Sequence, residues 1–415
     1  MPYLEANIGI VYGRVVEGIR IPAPRDEYYE TILIPGFSDT HAHPQVIDGG
    51  ITPSTIGVWR NSYDWLENRK LKIDEVGVRS DIGLASALAE AALKRAVLEG
   101  VTLIAFTGRL EANLKARIRF PYGPRMVMLP TIMDRAGWAR PEDVEVLYQK
   151  YSRFIEDSLL RPGVFVHSIR YASRETTLSA LDLAAKGRMP FGLHLSEGVA
   201  ESWKFASILE HVSPRPRIVA VHCISDDPRP LGIRCSSCPG TNIILYGRSR
   251  PRLAGTTSFG SDWPHLIGTV PRHLPLIRSL YGNRLESILY RATLGGYRDY
   301  GVPAMGDLVA YDVGLEEIMS GRHLPRLVMV AGNTVVEEGR IVTTMESLRD
   351  VEEETMELIK YAVEVYGDGG DVYIPGPSLV WELAAKISAR RAGRLEGNIA
   401  EAAEGAPKTS SNQRG

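Results

Sequence analysis

Side chains that bind metal ions or carry protons follow four short apolar runs of this sequence. His41 and His43 come after a run that begins at Ile32. Three more such residues end later runs: His194, His222 and Asp262. Residues i and i+2 of a strand point to the same side, so His41 and His43 can share one ion. The carboxyl ends of the strands of a parallel barrel meet at one mouth, and the five residues together predict a metal site there.

A single histidine after an apolar strand is more often a core or loop residue than a ligand. Five such residues at strand ends favour a metal site, because residues with unrelated structural roles would not all lie at those positions. The remaining histidines lack this placement, and we expect them to be structural or surface residues, although His265 closely follows Asp262 and can lie near the mouth. They are His211, His265, His273 and His323.

The composition of the chain is that of an ordinary globular protein, and it excludes several classes. With 48 basic and 50 acidic residues in 415, the formal net charge is −2, which argues against nucleic-acid binding. There is no apolar run of about 18 residues to predict a membrane span, and the first residues lack the pattern of a signal peptide. We therefore expect a cytoplasmic protein with a small-molecule substrate and without nucleic-acid or membrane partners.

Only three cysteines occur, at positions 223, 235 and 238. They are too few for a disulfide framework and fit a reducing cytoplasm. Cys235 and Cys238 have the spacing of a redox or zinc motif, but no second pair of ligands lies near them in the sequence. We therefore expect these two residues to be ordinary thiols.

The order of elements predicts an α/β fold, a (β/α)8 TIM-type barrel with a small discontinuous β-sandwich domain. From about residue 36 to 295, short apolar runs alternate with longer helical periodicities, which is typical of parallel strands joined by helices. Both ends of this region have the pattern of short strands with turns, and these strands can pair with each other. The expected parts are residues 1–35 with 300–345 for the β-sandwich, 36–299 for the barrel, 346–392 for C-terminal helices and 393–415 for a disordered tail.

Several motifs, taken in order along the chain, resemble those of the amidohydrolase superfamily. The resemblance is to its aminohydrolase group, which includes S-adenosylhomocysteine/methylthioadenosine-type, adenosine-type and guanine-type deaminases and triazine chlorohydrolases. The resemblance extends from about residue 7 to 345. The set of motifs is specific for the superfamily, but it is much less specific for a substrate. The matching segments are 35–43 (PGFSDTHAH), 194–197 (HLSE), 221–223 (VHC), 238–242 (CPGTN) and 260–262 (GSD).

The resemblance implies one divalent metal ion, Zn²⁺ or alternatively Fe²⁺. The matching ligands are His41, His43, His194 and Asp262. The resemblance also implies that Glu197 passes protons to a ring nitrogen of the substrate and to the leaving group. His222 matches the histidine that holds the attacking water, and Asp262 accepts a proton from that water.

Four further residues are candidates for contact with the substrate. His167 matches a histidine that contacts the substrate in the deaminases, and Asp64 stands in place of an acid that contacts the ribose of nucleosides. Gln45 is similar in position to a glutamine of guanine deaminases, and Trp263 could narrow the pocket. The alternatives are a packing role for His167 and a solvated turn for Asp64.

The sequence departs from the homocysteine-type deaminases at the end of the third barrel strand. Those enzymes place an arginine there to hold a substrate carboxylate, whereas this chain has Thr131 and Ile132, with Arg135 slightly later. The resemblance therefore gives no basis for carboxylate recognition by the usual geometry.

These inferences favour a metal-dependent hydrolase, and first a hydrolytic deaminase that releases ammonia from an aromatic amidine by attack of metal-bound hydroxide. The ring is a purine, a pyrimidine or a related ring. The H-x-x-E motif favours this reaction, because a ring nitrogen must be protonated as hydroxide adds. The alternatives are a hydrolase of amides or cyclic amides, a chlorohydrolase with the same site, and a metal-binding barrel without activity. Because the family often forms dimers, a homodimer is a further expectation.

Overall fold

The computed structural model describes residues 3–11, 14–22, 27–155 and 157–404 of the chain. Its strands form two sheets, one entirely parallel and one mixed. The strands are β1 (Tyr3–Val11), β2 (Arg14–Pro22), β3 (Glu27–Pro35), β4 (Phe37–Ala42), β5 (Val101–Gly108), β6 (Arg125–Ile132), β7 (Leu160–Pro162), β8 (Val164–Val166), β9 (Pro190–Leu195), β10 (Arg217–His222), β11 (Arg234–Ser237), β12 (Ser258–Phe259), β13 (Leu308–Tyr311), β14 (Leu327–Val330), β15 (Asn333–Glu337) and β16 (Arg340–Ile341).

Helices follow most of the strands of the parallel sheet and also complete the C-terminal part of the chain. They are α1 (Ser62–Asn68), α2 (Glu75–Ser80), α3 (Ile82–Leu98), α4 (Leu110–Arg119), α5 (Pro141–Lys150), α6 (Ser152–Ile155), α7 (Arg174–Lys186), α8 (Ser202–Leu209), α9 (Pro239–Tyr246), α10 (Pro264–Ile267), α11 (Val270–Tyr281), α12 (Leu285–Ala292), α13 (Leu294–Tyr300), α14 (Leu315–Ile318), α15 (Leu348–Tyr366) and α16 (Gly376–Glu404).

Eight parallel strands pair in chain order to form the barrel: β4, β5, β6, β8, β9, β10, β11 and β12. The short β7 pairs with β6 and directly precedes β8. The ring closes where β4 meets the segment after β12. There the Asp262 N–H donates to the His41 carbonyl at 2.8 Å, and the His43 N–H donates to the Asp262 carbonyl at 2.7 Å. The predicted α/β class with a (β/α)8-type barrel is confirmed.

Successive residues of each barrel strand point in turn to the interior of the barrel and to the surrounding helices. In β5, Leu103 and Ala105 belong to the cluster inside the barrel, whereas Ile104 and Phe106 pack in the outer cluster that includes residues of α3. All four side chains are buried. Because both faces of such strands are covered, their sequences are continuous apolar runs rather than alternating ones.

The second sheet joins the two ends of the chain. Its strand order is β16-β15-β14-β13-β3-β1-β2, and β3 pairs antiparallel with β13, where Ile34 lies opposite Val309. The predicted pairing of N-terminal strands with those beyond residue 305 is confirmed. The small β unit is therefore discontinuous in sequence, and its described strands form one seven-stranded sheet. The exact domain boundaries given above stay a prediction.

A buried ion pair connects the barrel to the small sheet. Arg125 of β6 donates through Nε to Oδ2 of Asp307 at 2.8 Å, and the Tyr297 hydroxyl donates to the same oxygen at 2.6 Å. Removing one partner of a buried pair typically costs about 3–5 kcal/mol, because the other charge is left uncompensated. Asp307→Ala should therefore lower the free energy of unfolding by about that amount, measured by urea denaturation.

Asp312→Ala is the control for this prediction. Asp312 pairs with Arg326 at 3.2 Å, but both side chains are more than two-fifths exposed. Exposed pairs contribute up to about 1 kcal/mol, so this variant should be nearly as stable as the parent chain. If the Asp307 variant were as stable as the Asp312 variant, the buried pair would not hold the two sheets together.

The last helix is longer than expected. α15 lies in the predicted helical range, and α16 continues to Glu404, beyond the expected end of the helices at residue 392. The expectation of disorder in the tail stays a prediction. Residues 393–404 include three alanines and three glutamates, which have high helix propensity. The rest of the expected tail, 405–415, lies outside the described residues. Among the described helices, none has the length and apolar character that a membrane crossing requires.

The cysteines also differ from the expectation. Cys223 and Cys235 form a disulfide, and Cys238 is a buried free thiol. The expectation of an ordinary thiol is therefore wrong for Cys235. The register of β10 and β11 places Ala220 beside Cys235, and the chain turns at Cys223, whose φ is 45°. The two sulfur atoms meet because the strands are neighbours, which the spacing in the sequence does not show.

Candidate functional site

Three imidazoles converge at the carboxyl ends of β4 and β9. Nε2 of His41 lies 3.0 Å from Nε2 of His43 and 3.0 Å from Nε2 of His194. His41 lies in β4, His43 directly follows that strand, and His194 lies in β9. The structure thus brings together the three histidines that the sequence places at strand ends.

The carboxylate of Asp262 completes a set of four donors. Its Oδ1 lies 3.4 Å from Nε2 of His43 and 3.5 Å from Nε2 of His41. In a tetrahedral zinc site with bonds of about 2.0–2.1 Å, neighbouring ligand atoms lie roughly 3.3 Å apart. The separations of 3.0–3.5 Å in this cluster agree with such a site. Two sets of three donors lie close enough together to hold a metal ion: His41, His43 and His194, and His41, His222 and Asp262.

Hydroxyl groups of neighbouring elements orient two of these donors. Thr107 of β5 hydrogen-bonds through Oγ1 to Nδ1 of His43 at 2.9 Å. Thr241 of α9 donates through Oγ1 to Oδ2 of Asp262 at 2.6 Å. Burial, followed by the neighbouring His41 ring, holds the pKa of His43 well below its ordinary value. His43 is therefore a neutral imidazole, which is the form that binds metal ions.

Glu197 lies in the loop after β9, next to this cluster. Its Oε1 accepts a hydrogen bond from the Tyr246 hydroxyl at 2.5 Å and lies 3.5 Å from Nε2 of His222. Burial raises the pKa of Glu197 to about 8, although the hydrogen bond from Tyr246 opposes the shift. At neutral pH this carboxyl group carries a proton, which it can donate to a bound molecule.

His222 ends β10 and faces both carboxyl groups of the site. Its Nε2 lies 3.5 Å from Oε1 of Glu197 and 3.9 Å from Oδ2 of Asp262. Its Nδ1 donates to Oδ1 of Asn242 at 2.8 Å, since an amide oxygen can only accept. Burial lowers the pKa of His222 to about 4, so the ring is neutral at physiological pH. Nε2 is then free to accept a hydrogen bond in the site.

These groups line one end of a cavity at the mouth of the barrel. Two predicted substrate-binding residues, His167 and Trp263, lie in its walls. The other walls are aromatic and cationic, and they include Trp65, Trp138, Tyr171, Arg69, Arg79 and Arg135. Flat aromatic walls with a few convergent polar groups suit a ligand that is itself a flat ring.

The other two predicted substrate contacts, Gln45 and Asp64, lie outside the walls of this cavity. Gln45 is buried, and its Nε2 donates to Oδ1 of Asn113 at 2.7 Å. Asp64 of α1 accepts the N–H of Arg60 at 3.0 Å, and it therefore stabilises the turn that leads into the helix. Because the polar atoms of both side chains have partners elsewhere, a direct contact with substrate is not proposed for either.

Four contacts of the site were not predicted from the sequence, and one of them is the hydrogen bond from Thr241 to Asp262. Tyr246, which donates to Glu197, lies on a helix and follows no strand, so the sequence contains no signal for it. Asn242 lies in the CPGTN segment but had no role assigned. Thr107, near the end of β5, follows an apolar run as the histidines do, and that placement could have identified it.

No protein-family model matches the chain. It is 29% identical over 252 residues to the 5-methylthioadenosine/S-adenosylhomocysteine deaminase of Thermodesulfovibrio yellowstonii, over 56% of this chain and 55% of the relative. It is 32% identical over 131 residues to the 5′-deoxyadenosine deaminase of Methanothrix thermoacetophila, over 27% of this chain and 31% of the relative. The chain thus spans about half of the first relative and about a third of the second.

The fold is also similar to that of solved structures. An adenosine deaminase from Xanthomonas campestris with bound zinc superposes with a TM-score of 0.67 at 16% identity, over 88% of this chain and 98% of the other. At such low identity this similarity shows the fold alone. Both sequence relatives are named as deaminases, which agrees with the resemblance of this chain to that group.

Proposed function

We propose that this chain is a metal-dependent hydrolase that removes ammonia from an aromatic amidine, such as a purine, a pyrimidine or a related ring. One observation carries the proposal: a cluster of metal-binding donors and the buried carboxyl group of Glu197 share one end of an aromatic-walled cavity. Both curated relatives are named as deaminases, which supports the same class of reaction.

We assign the metal site to His41, His43, His194 and Asp262. Three neutral imidazoles and one carboxylate suit Zn²⁺ and tolerate Fe²⁺, and the structural relative with bound zinc supports the first of these. When bound, a divalent ion acts as a Lewis acid and lowers the pKa of a water ligand to about 7.

Glu197 is placed to move protons during the reaction. Its carboxyl group can donate a proton to a ring nitrogen while water adds to the carbon that bears the amino group. The resulting carboxylate can then accept a proton and pass it to the departing ammonia. His222 offers an acceptor nitrogen that holds the attacking water, and the carboxylate of Asp262 is the second acceptor for a proton from that water.

The names of the two curated relatives favour deamination over the two alternatives at the same site, and the position of Glu197 suits that reaction. A deaminated ring must gain a proton on nitrogen, and a carboxyl group with a pKa of about 8 supplies that proton at neutral pH. Hydrolysis of an amide and removal of chloride from a ring are therefore outcomes of the test below rather than separate proposals. A homodimer, a cytoplasmic location and the absence of nucleic-acid partners stay predictions.

Asn242→Ala should lower turnover by about 10- to 100-fold and leave the metal content unchanged. The variant removes the acceptor for Nδ1 of His222, which lies 2.8 Å away, so the ring can rotate or change tautomer. The measurements are the rate of ammonia release and elemental analysis of the purified variant. If metal were lost together with turnover, Asn242 would act on the metal site rather than on His222.

Elemental analysis of the purified chain, followed by assays on a panel of compounds, tests the proposed function. The panel contains purines, pyrimidines and nucleosides with exocyclic amines, assayed for ammonia. It also contains amides assayed for the released acid, and chlorinated triazines assayed for chloride. Metal-dependent release of ammonia is the expected result. Release of only acid or chloride would overturn the deaminase assignment, and a chain without bound metal or any product would overturn the hydrolase assignment as well.

A further inference from the structure

One part of the cavity wall carries an excess of positive charge. Three guanidinium groups line it, those of Arg69, Arg79 and Arg135. Glu75 is the carboxylate that lies among them. The two other carboxyl groups of the cavity, Glu197 and Asp262, belong to the cluster of metal-binding and proton-carrying groups described above. The positive charge is thus concentrated away from those two acids.

Glu75 compensates only part of this charge. Its two carboxylate oxygens each accept a hydrogen bond from one arginine, Arg69 or Arg79. Burial opposes ionisation of Glu75, but the two guanidinium groups outweigh it and lower its pKa to about 2. Arg135 stacks on Tyr171 at 4.3 Å, and within the described ranges no acid forms an ion pair with it. Three cations against one anion leave two positive charges at neutral pH.

Arg79 is the best placed of the three arginines to bind an anion. Its guanidinium group lies over the Trp138 ring at 4.3 Å, which fixes its plane, and its Nη2 also donates to Glu75. The side chain is only 12% exposed, and its Nε is shielded from solvent without a hydrogen-bond partner among the residues that the structure describes. A guanidinium group with an unsatisfied donor gains from a nearby anion, which its remaining N–H groups can bind.

Arg79 also lies within reach of a molecule bound at the metal-binding end. Arg79 lies over the Trp138 ring, whose centre is 6.5 Å from that of His167, and the His167 ring lies 5.0 Å from that of His194. Arg79 and Trp138 line a second cavity as well. A ring near His194 could therefore extend a charged group towards Arg79 and find space there.

We propose that the substrate carries an anionic group, a carboxylate or a phosphate, and that Arg79 binds this group with Arg135 as a second cation. This inference rests on the proposed function, since it places the amine-bearing ring at the metal-binding end of the cavity. The subsite differs from the arginine position of the homocysteine-type deaminases, which is occupied here by Thr131 and Ile132. Arg79 lies on α2, and Arg135 lies in the loop after β6, three residues beyond the end of that strand.

Ligands that share the same base and sugar but carry a neutral or an anionic group at the 5′ position test the proposal. Dissociation constants are measured by calorimetry for adenosine, cytidine and guanosine derivatives. In each series the neutral 5′-deoxynucleoside is compared with the 5′-carboxylate and with the 5′-monophosphate, so the two arms distinguish the two anions. Because a hydrogen bond to a charged group contributes strongly, a charged member of at least one series should bind roughly 10- to 100-fold more tightly than its neutral partner.

Substitution of Arg79 should remove this preference. Arg79→Gln should bring the ratio of the two affinities close to one, and Arg79→Lys, which keeps the charge without the planar fork, should restore part of it. Arg170→Gln is the matched control. Arg170 also stacks on an aromatic ring, that of Tyr63, and pairs with Glu67, but it does not line the cavity. The ratio in this control should equal that of the parent chain.

The outcomes separate this inference from the proposed function. If no charged ligand of any series binds more tightly than its neutral partner, or if Arg79→Gln keeps the full ratio, the anionic subsite is refuted even when the chain releases ammonia. If the chain binds metal but releases ammonia from no member of the wider panel, the proposed function fails. Tighter Arg79-dependent binding of the charged members would in that case still support the subsite.

Discussion

Replacing His194 by alanine should abolish both metal binding and activity. The variant removes one of the four donors, whose Nε2 lies 3.0 Å from Nε2 of His41. A bound ion lowers the pKa of water from about 15.7 to about 7, which is roughly 12 kcal/mol at 1.36 kcal/mol per unit. A single proton carrier contributes about two to four powers of ten, so the loss of activity in His194→Ala should exceed four powers of ten. Elemental analysis and ammonia release measure the two effects.

His273→Ala is the matched control for a buried histidine outside the site. Burial lowers the pKa of His273 to about 4, its Nε2 donates to the Ile267 carbonyl at 3.2 Å, and it does not line the cavity. This variant can lose stability, but it should keep its metal. If His194→Ala retained metal, or if both variants lost it equally, the assignment of His194 as a ligand would be wrong.

The metal-binding end of the barrel could be predicted because its strands are buried on both faces. A strand of this kind is a continuous apolar run, and a polar residue at its end stands out in the sequence. His194 and His222 end β9 and β10 in this way, and the pair at 41 and 43 follows the same rule at β4. Strand β11 (Arg234–Ser237) was missed because it has only four residues and two of them are serines.

Contacts between elements that are distant along the chain could not be predicted. The hydrogen bond from Tyr246 to Glu197 spans 49 residues, and the one from Gln45 to Asn113 spans 68. Each depends on how a helix or loop packs over the barrel mouth, and no periodicity in the sequence encodes that packing. The resemblance to guanine deaminases therefore suggested a substrate contact for Gln45, whereas the structure pairs its side chain with Asn113.

Glu197→Gln should keep the metal and lower turnover by about two to four powers of ten. Glutamine has nearly the same shape, and its amide oxygen can still accept the Tyr246 hydroxyl, which lies 2.5 Å from Oε1 in the parent chain. The amide has no ionisable proton, so it cannot protonate a ring nitrogen or carry a proton to the leaving ammonia. Elemental analysis and the steady-state rate of ammonia release are the measurements.

Glu201→Gln separates the loss of a transferable proton from the loss of a buried acid. Glu201 is also buried, its pKa is also raised by burial, and its Oε1 accepts the Tyr63 hydroxyl at 2.6 Å, but it does not line the cavity. Its variant should therefore turn over at nearly the parent rate. Near-normal turnover in Glu197→Gln would mean that the reaction does not use the proton of Glu197. An equal loss in both variants would mean the same, because only Glu197 lines the cavity.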